Sequence, residues 1–198
     1  MPDFFSTAIN DNTFIRGAAR LMWAGTTISV PTTIADIINL SSYAPMTGWN
    51  DLGATKTGVT VTRNNTEEVF DVDQILGNID TRPVDWEQTV TTALAEASLQ
   101  RMQVAWEGGS ISTAGSEETM GIGNPLTYTK RRLAVLILKS DNKVRAHVYR
   151  LVTRGAVESS AVYNKTGDQV TFPVQFRALA DTSVSDVNTR VGVVLNQV

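Results

Sequence analysis

Residues 58–74, GVTVTRNNTEEVFDVDQ, decide the fold because apolar and polar residues alternate in them twice. The apolar positions are Val59, Val61, Phe70 and Val72. The polar positions are Thr60, Thr62, Asp71 and Asp73, a set without lysine. Successive side chains of a strand point to opposite faces, so the pattern predicts strands with one apolar and one polar face. The pair Asn64–Asn65 tolerates turn conformations and predicts a turn between two strands, 59–63 and 67–74.

The rest of the chain also predicts mostly strands. They are expected at 14–30, 85–95, 131–139, 143–154, 168–180 and 188–198. Residues 131–139 and 143–154 flank the short sequence SDN and predict a hairpin. Pro173 cannot donate a hydrogen bond to a neighbouring strand, which predicts a bulge or an edge at that position.

Two segments have helical spacing instead. Residues 33–40, TIADIINL, predict a short helix. In residues 96–107, Leu99, Met102 and Trp106 share a helical face, and the glycines at 108 and 109 predict its end. Residues 108–125 are rich in glycine and serine and predict a long loop. The fold class is therefore mainly β, a sandwich or barrel with one flanking helix.

Composition predicts an ordinary folded, soluble chain. Of its 198 residues, 42% are hydrophobic and 19% charged, and there is no cysteine to form disulfides or thiolate metal sites. The N-terminus lacks the basic and apolar parts of a signal peptide. The longest aliphatic run, residues 133–138, is too short to span a bilayer. We expect synthesis in a cytoplasm and no membrane anchoring.

Charge is distributed unevenly although the net charge is only −3. Residues 57–129 hold eleven acids, three arginines and no lysine, whereas residues 130–198 hold eleven basic residues and five acids. Two unrelated solvated surfaces would explain this difference. So would identical copies that meet acidic part to basic part, because complementary potentials favour head-to-tail contacts.

Catalytic and ligand-binding patterns are weak. His147, the one histidine, has no nucleophile motif beside it, and a surface or half-buried strand position explains it. Asp71 and Asp73 could form a carboxylate pair or a calcium site, but a solvated acidic face is the simpler explanation. We predict no enzyme, cofactor or metal site. An enzyme that uses His147 remains a remote alternative.

A glycan-binding β-sandwich is a second alternative, because such modules expose aromatic side chains. Trp23, Trp86 and Trp106 occur at apolar positions of the pattern and are expected in the core. Trp49 and Tyr43 lie in a turn-rich segment and would form the only plausible platform. Strands that bind nucleic acid favour basic residues with interleaved aromatics, unlike the acidic middle of this chain.

Three stretches together resemble the tail tube, or major tail, proteins of long-tailed, non-contractile bacteriophages (siphophages). They are GWNDLGATKTGVTVT at 48–62, TRPVDWEQTVTTALAEAS at 81–98 with a helix ending in AWEGG, and VTFPVQFRALAD at 170–181. FIRGAARLMWAG at 14–25, before a proline, fits the start of that family. The similarity covers about residues 14–182, and it depends on the order and spacing of the motifs.

The resemblance implies a viral structural protein of the virion tail with a β-sandwich or barrel-like subunit and a flanking helix. Hexameric rings of such subunits form a continuous inner β-barrel and stack helically into a tube for DNA ejection. Implied partners are other copies, the tape-measure protein, the tail terminator and distal tail proteins, and DNA in transit. The alternative within the same class is the inner tube of a contractile tail or secretion machine, which is also built from stacked rings.

For domain organisation we expect a single tail-tube domain over 1–198. Residues 1–13 are expected to form an N-terminal arm, and residues 183–198 a C-terminal arm or strand. No additional C-terminal immunoglobulin-like domain is expected, because the chain ends soon after the strand at 168–180.

A lumen lined by the polar faces would explain the missing lysines, since basic contacts would hold the genome that must pass. The candidate lumen-lining residues are Thr60, Thr62, Asp71, Asp73, Glu87, Thr89, Thr91 and Gln175. Arg177 does not fit this set, and we expect it to pair with a neighbouring acid. A different register would place these side chains on an outer surface instead.

Contacts between subunits or rings are expected at charged and polar positions, with the loops at 64–66, 75–84 and 108–125 reaching to neighbours. The candidates are Arg63, Asn64, Asn65, Glu67, Glu68, Asp80, Arg82, Glu117, Glu118, Arg131, Arg132 and Arg145. Exposed ion pairs contribute about 0–1 kcal/mol each, but they repeat around a ring and act together.

Overall fold

The computed structural model of the chain describes residues 15–70, 80–95, 98–123, 126–155 and 171–198, with backbone alone for 15–18. Its strands are β1 (Ile15–Gly25), β2 (Trp49–Asp51), β3 (Thr55–Phe70), β4 (Asp80–Leu94), β5 (Ile111–Ala114), β6 (Glu117–Met120), β7 (Arg131–Lys139), β8 (Val144–Arg154), β9 (Phe172–Leu179) and β10 (Gly192–Asn196). Helix α1 spans Leu99–Trp106, and a short 3-10 helix spans Ile34–Asp36. The mainly β fold class is confirmed.

One antiparallel sheet contains eight of these strands. Their order is β2-β1-β7-β8-β9-β4-β3, and β10 pairs with β8 beside this path. Strands β5 and β6 form a separate hairpin. The predicted hairpin of β7 and β8 and the predicted terminal strand β10 are both present.

Apolar side chains cover both faces of the middle of the sheet. One cluster lies under helix α1 and includes Phe172, Leu94 and Leu133. The other lies under the 3-10 helix and includes Ile37 and Trp49. Strand β7 therefore alternates between the two clusters and is buried on both sides, as LAVLIL suggests. Strands β4 and β9 contribute only to the first cluster, so one of their faces remains free for polar side chains.

Helix α1 closes the first cluster. Its Val104 and Ala105 are buried, and Trp106 packs edge-on against Phe172 with ring centroids 5.7 Å apart. The helix ends at Glu107, whose φ of 54° is left-handed, directly before the two glycines that predict the end. The predicted helix is confirmed, and it begins at Leu99 rather than at residue 96.

Four sequence predictions about local structure are wrong. The loop expected at 75–84 is a strand from residue 80 onward, because β4 begins at Asp80. Asn64–Asn65 is not a turn, because β3 runs through both residues, paired with Glu87 and Trp86 of β4. The region 108–125 is not a plain loop, because it contains the β5–β6 hairpin. Strand β1 ends at Gly25 rather than at residue 30. In each case cross-strand pairing, which no local pattern encodes, determines the outcome.

Pro173 lies within β9 and opposite Ala93 of β4. Strand β8 pairs with β9 only from Phe176 to Leu179, so among the described residues the other flank of Pro173 has no strand partner. Within the described residues, Pro173 therefore lies beyond the end of the β8–β9 ladder, which agrees with the predicted edge position. In the described ranges, no helix has the length and apolar character needed to cross a membrane.

Candidate functional site

The free face of β3, β4 and β9 carries rows of polar side chains that lie opposite one another. Thr60 pairs with Thr91, which pairs with Gln175. The next row consists of Thr62, Thr89, Arg177 and Thr153, from β3, β4, β9 and β8. Asn64 and Glu87 form a third row. We call these three rows the polar face.

Strand alternation separates the polar face from the core. Val90, between Thr89 and Thr91, is 1% exposed, and it points into the cluster under α1. Gln88 points the same way, and its Nε2 donates a hydrogen bond to the Tyr149 hydroxyl at 2.9 Å. Burial raises the pKa of Tyr149 to about 12, against the opposing effect of this hydrogen bond. The residues on the other side of β4 therefore face away from this cluster. Among them Thr89 is buried, at 9% exposure, whereas Glu87 and Thr91 are partly exposed.

Six of the eight candidate lumen-lining residues lie on the polar face, namely Thr60, Thr62, Glu87, Thr89, Thr91 and Gln175. The other two, Asp71 and Asp73, lie outside the described residues. Sequence reasoning missed Thr153, although its alternation with buried Val152 is the same signal. It assigned Asn64 to inter-subunit contacts, whereas its backbone position is in the third row.

Side chains within the rows contact one another. The amide Nε2 of Gln175 lies 3.5 Å from the Thr91 hydroxyl. Gln175 also passes directly over Gly155, where an added Cβ would lie 2.4 Å from Oε1 of Gln175. Gly155 in turn donates a backbone hydrogen bond to the Gln175 carbonyl at 2.6 Å. The glycine therefore makes room for the glutamine at the edge of the polar face.

Arg177, the one basic residue of the rows, is paired. Its Nε lies 2.6 Å from Oε1 of Glu87, and both side chains are about half exposed. The expectation that Arg177 pairs with a neighbouring acid is confirmed. The polar face thus presents hydroxyls, amides and an ion pair, with no unpaired cation in its three rows.

Strands β3 and β4 continue past the body of the subunit as a two-stranded ribbon, residues 61–70 and 80–86, which we call the arm. All of these residues are exposed. At Thr66 and Glu67 the register shifts by one residue, with the extra residue on β4. Beyond the shift, Arg82 donates two hydrogen bonds to Glu68, at 2.7 and 3.0 Å, and its guanidinium lies over the Phe70 ring.

Most candidate contact residues lie on exposed hairpins. Seven lie on the arm, namely Arg63, Asn64, Asn65, Glu67, Glu68, Asp80 and Arg82. Glu117 and Glu118 are exposed on β6. Arg145 on β8 donates a hydrogen bond to the Asn196 side chain at 3.2 Å.

Two further candidates have internal roles instead. Arg131 is buried in an ion pair with Glu107, and its guanidinium lies over the Trp23 ring. Arg132 donates to the backbone carbonyls of Ile28, Arg150 and Thr26. Both guanidinium groups join segments of their own subunit, so we omit them from the contacts proposed below.

The positions of the aromatic and acidic side chains give little support to a glycan-binding or metal-binding function. Trp49 is 4% exposed and Tyr43 is 43% exposed, so the two do not form the exposed aromatic pair that the glycan-binding alternative requires. Trp86 is 40% exposed, so its expected core position is also wrong, whereas Trp23 and Trp106 pack against the core. The described residues contain no cluster of histidine and acidic side chains suited to a metal ion.

His147 is half-buried on β8, as expected for a strand histidine, opposite Val135 and Val194. Burial, and to a smaller extent the nearby Arg145 guanidinium, lower the pKa of His147. A neutral imidazole between two valines gives no support to a catalytic role.

Comparison with known families agrees with this architecture. The family model described as phage tail tube protein matches residues 7–190, which is most of the chain. A search of curated proteins finds no match. Because the family match spans both the polar face and the core that supports it, the chain belongs to the phage tail tube protein family.

Proposed function

We propose that this structural tail protein assembles into hexameric rings, stacked helically as the tail tube of a siphophage, through which the genome passes into the host cell. The observation that carries the proposal is the polar face, backed by a packed core and composed of three cross-strand rows. In a ring, this face lines the lumen. The subunit performs no covalent chemistry.

The chemistry of the polar face suits a channel for DNA. Affinity for DNA rises steeply with the number of lysine and arginine contacts to phosphate. The rows offer threonine hydroxyls and a Glu87–Arg177 pair, so the arginine charge is balanced within the face. A lining of this kind gives phosphates no array of free cations to bind, and a moving polyanion is not retained.

The open end of the sheet supports ring closure. Strand β3 is the last strand of the sheet, and its outer edge has no partner among the described residues. A long exposed edge is a template for pairing with another chain. If each β3 pairs with the sheet of the next subunit, the polar faces join into one continuous barrel without exposed edges.

The proposed partners are other copies, the tape-measure protein during assembly, and terminator and distal tail proteins at the tube ends. Synthesis in the host bacterial cytoplasm would precede assembly. Contacts between rings would use the exposed candidates, which are Arg63, Asn65, Glu67, Glu68, Asp80, Arg82, Glu117, Glu118 and Arg145.

Electron microscopy of the purified chain at increasing concentration tests assembly directly. Hollow rings or tubes are expected, and particles that stay dispersed at every concentration and salt condition would contradict the proposal. Cryo-electron microscopy of the tubes then reports which face lines the bore. A bore without Thr62 and Thr91 would show that the polar face is an outer surface.

A charge change tests passage of DNA. Thr62→Lys and Thr91→Lys together add two cations per subunit to the polar face, and we expect intact tubes with impaired DNA delivery. The matched control is Thr47→Lys with Thr182→Lys, at two exposed threonines outside the polar face. Equal infectivity of phage carrying either variant would argue against the luminal position.

A further inference from the structure

The arm exposes large apolar side chains. Val61, Val69, Val84 and Trp86 are 36%, 48%, 60% and 40% exposed, respectively. Ribbons of two strands are marginally stable alone in water, and they normally bury one face against something else. Within the described parts of the subunit, no element packs over this stretch of β3 and β4. We call these four residues the arm stripe.

Three members of the arm stripe, Val61, Val69 and Trp86, lie on the core side of the sheet, opposite the polar face. Val61 pairs with Val90, which is buried in the core. Trp86 lies two residues before Gln88, whose side chain reaches inward to Tyr149. Val69 follows Val61 by an even number of residues on the same strand, so the two side chains lie on the same face. Val84 is the extra residue at the register shift. The stripe is therefore an extension of the hydrophobic core beyond the body of its own subunit.

Charged neighbours only partly cover the stripe. The Arg63 guanidinium lies 5.6 Å from the centroid of the Trp86 ring, an arrangement that shields one ring face. On the other side of the ribbon, Arg82 contacts both Glu68 and the Phe70 ring. Charged side chains thus cover an aromatic ring on each side of the arm, but the core side leaves more apolar surface exposed.

We infer that a second copy of this chain packs over the arm stripe and completes its burial, so that assembly is driven by apolar contact at the arm. The inference rests on the proposed function, since it names the surface through which copies meet. Membership of a tail tube family makes another copy the natural occupant. Charge agrees, because residues 61–70 and 80–87 hold five acids and two arginines. Basic side chains of the later part of the chain that are at least partly exposed include Lys130, Lys143, Arg145, Arg150 and Arg154.

Apolar contact and charge pairing respond differently to salt. Sulfate strengthens apolar burial, whereas sodium chloride screens exposed ion pairs. If the arm stripe drives assembly, the wild-type chain should assemble at lower concentration in ammonium sulfate and should tolerate sodium chloride. Assembly that is abolished by moderate sodium chloride would overturn the inference and leave the charged contacts in its place.

Substitutions test the stripe itself. The variant Val84→Thr with Trp86→Thr keeps β-branched side chains in the strand while it removes apolar surface. We expect the concentration required for assembly, measured by sedimentation and microscopy, to rise at least about tenfold. The control is Leu40→Thr with Val194→Thr, at residues 41% and 59% exposed outside the arm. It should assemble like the wild type.

The outcomes separate the two proposals. If the wild type forms tubes and the arm variant assembles equally well, the inference fails and the proposed function stands. If the control variant is weakened as much as the arm variant, the effect is not specific to the stripe, and the inference also fails. A wild type that never assembles overturns both. Should the double variant misfold by circular dichroism, the isosteric Val69→Thr repeats the test, with a rise of about threefold expected.

Discussion

Arg177 of β9 and Glu87 of β4 form an ion pair across two strands on the polar face, with Nε and Oε1 2.6 Å apart. The pair links the second and third rows, and it balances the one positive charge that the rows contain. Because both side chains are about half exposed, its contribution to the free energy of folding is small, about 0–1 kcal/mol. Its importance lies in the charge that it presents to the proposed lumen.

Glu87→Gln removes the acid and leaves Arg177 unbalanced. We expect nearly unchanged thermal stability but salt-dependent retention of short double-stranded DNA by assembled tubes, measured by co-sedimentation. Adding Arg177→Gln to the same chain should abolish this retention. Equal DNA retention by the single and double variants would show that Arg177 does not face the DNA.

The buried pair of Glu107 and Arg131 should behave in the opposite way. Their side chains are 2% and 10% exposed, and the pair fixes the end of α1 to the start of β7. Glu107→Gln leaves the buried guanidinium without its counter-charge, so we expect a loss of about 3–5 kcal/mol in the free energy of unfolding, measured in urea. Breaking the exposed Glu68–Arg82 pair with Arg82→Met should cost at most about 1 kcal/mol.

Gly192 is required where β10 joins β8. A Cβ at this position would lie 2.1 Å from the Val148 carbonyl oxygen, a backbone atom that cannot move aside cheaply. Gly192→Ala should therefore lower the free energy of unfolding by about 1–3 kcal/mol. Gly123→Ala, where no atom lies within 4 Å of the added Cβ, is the matched control. Similar unfolding midpoints for the two variants would indicate that β10 is not held as described.

His147 should make stability depend on pH. Burial lowers its pKa in the folded chain below the usual 6.5, so the unfolded chain binds the proton more readily. Stability should therefore fall as the pH is lowered from 6.5 through the folded pKa, and it should be unaffected by this group above 6.5. Arg145 on the same strand adds to the effect, while the facing residues Val135 and Val194 are neutral.

In His147→Gln, the slope of melting temperature against pH should be reduced between pH 6.5 and the acid range where carboxylates titrate. Asp36, Asp181 and Asp186 accept hydrogen bonds that lower the pKa of each below its usual 3.8, so their effect belongs to that lower range. The same slope in wild type and variant would exclude His147 as the source.

Local patterns in the sequence determined the fold class and the division into two faces. Alternation of valine with threonine predicts that Thr60 and Thr62 share a face, and the same holds for Thr89 and Thr91, because the period of a strand is two residues. The end of α1 was also predictable, since two glycines follow it. Family membership followed from motif order along the chain.

Tertiary structure alone decided which strands meet and in which register. No local pattern encodes that Thr60 lies opposite Thr91, or that Glu87 comes within reach of Arg177, because these pairings join residues far apart in sequence. Asn64–Asn65 runs straight because β4 pairs along it, which overrides its preference for turns. Trp49 is buried because it lies in a core cluster with residues distant in sequence, such as Ala134 and Val148. Long-range packing outweighs intrinsic preferences of this size, which amount to about 1 kcal/mol or less per residue.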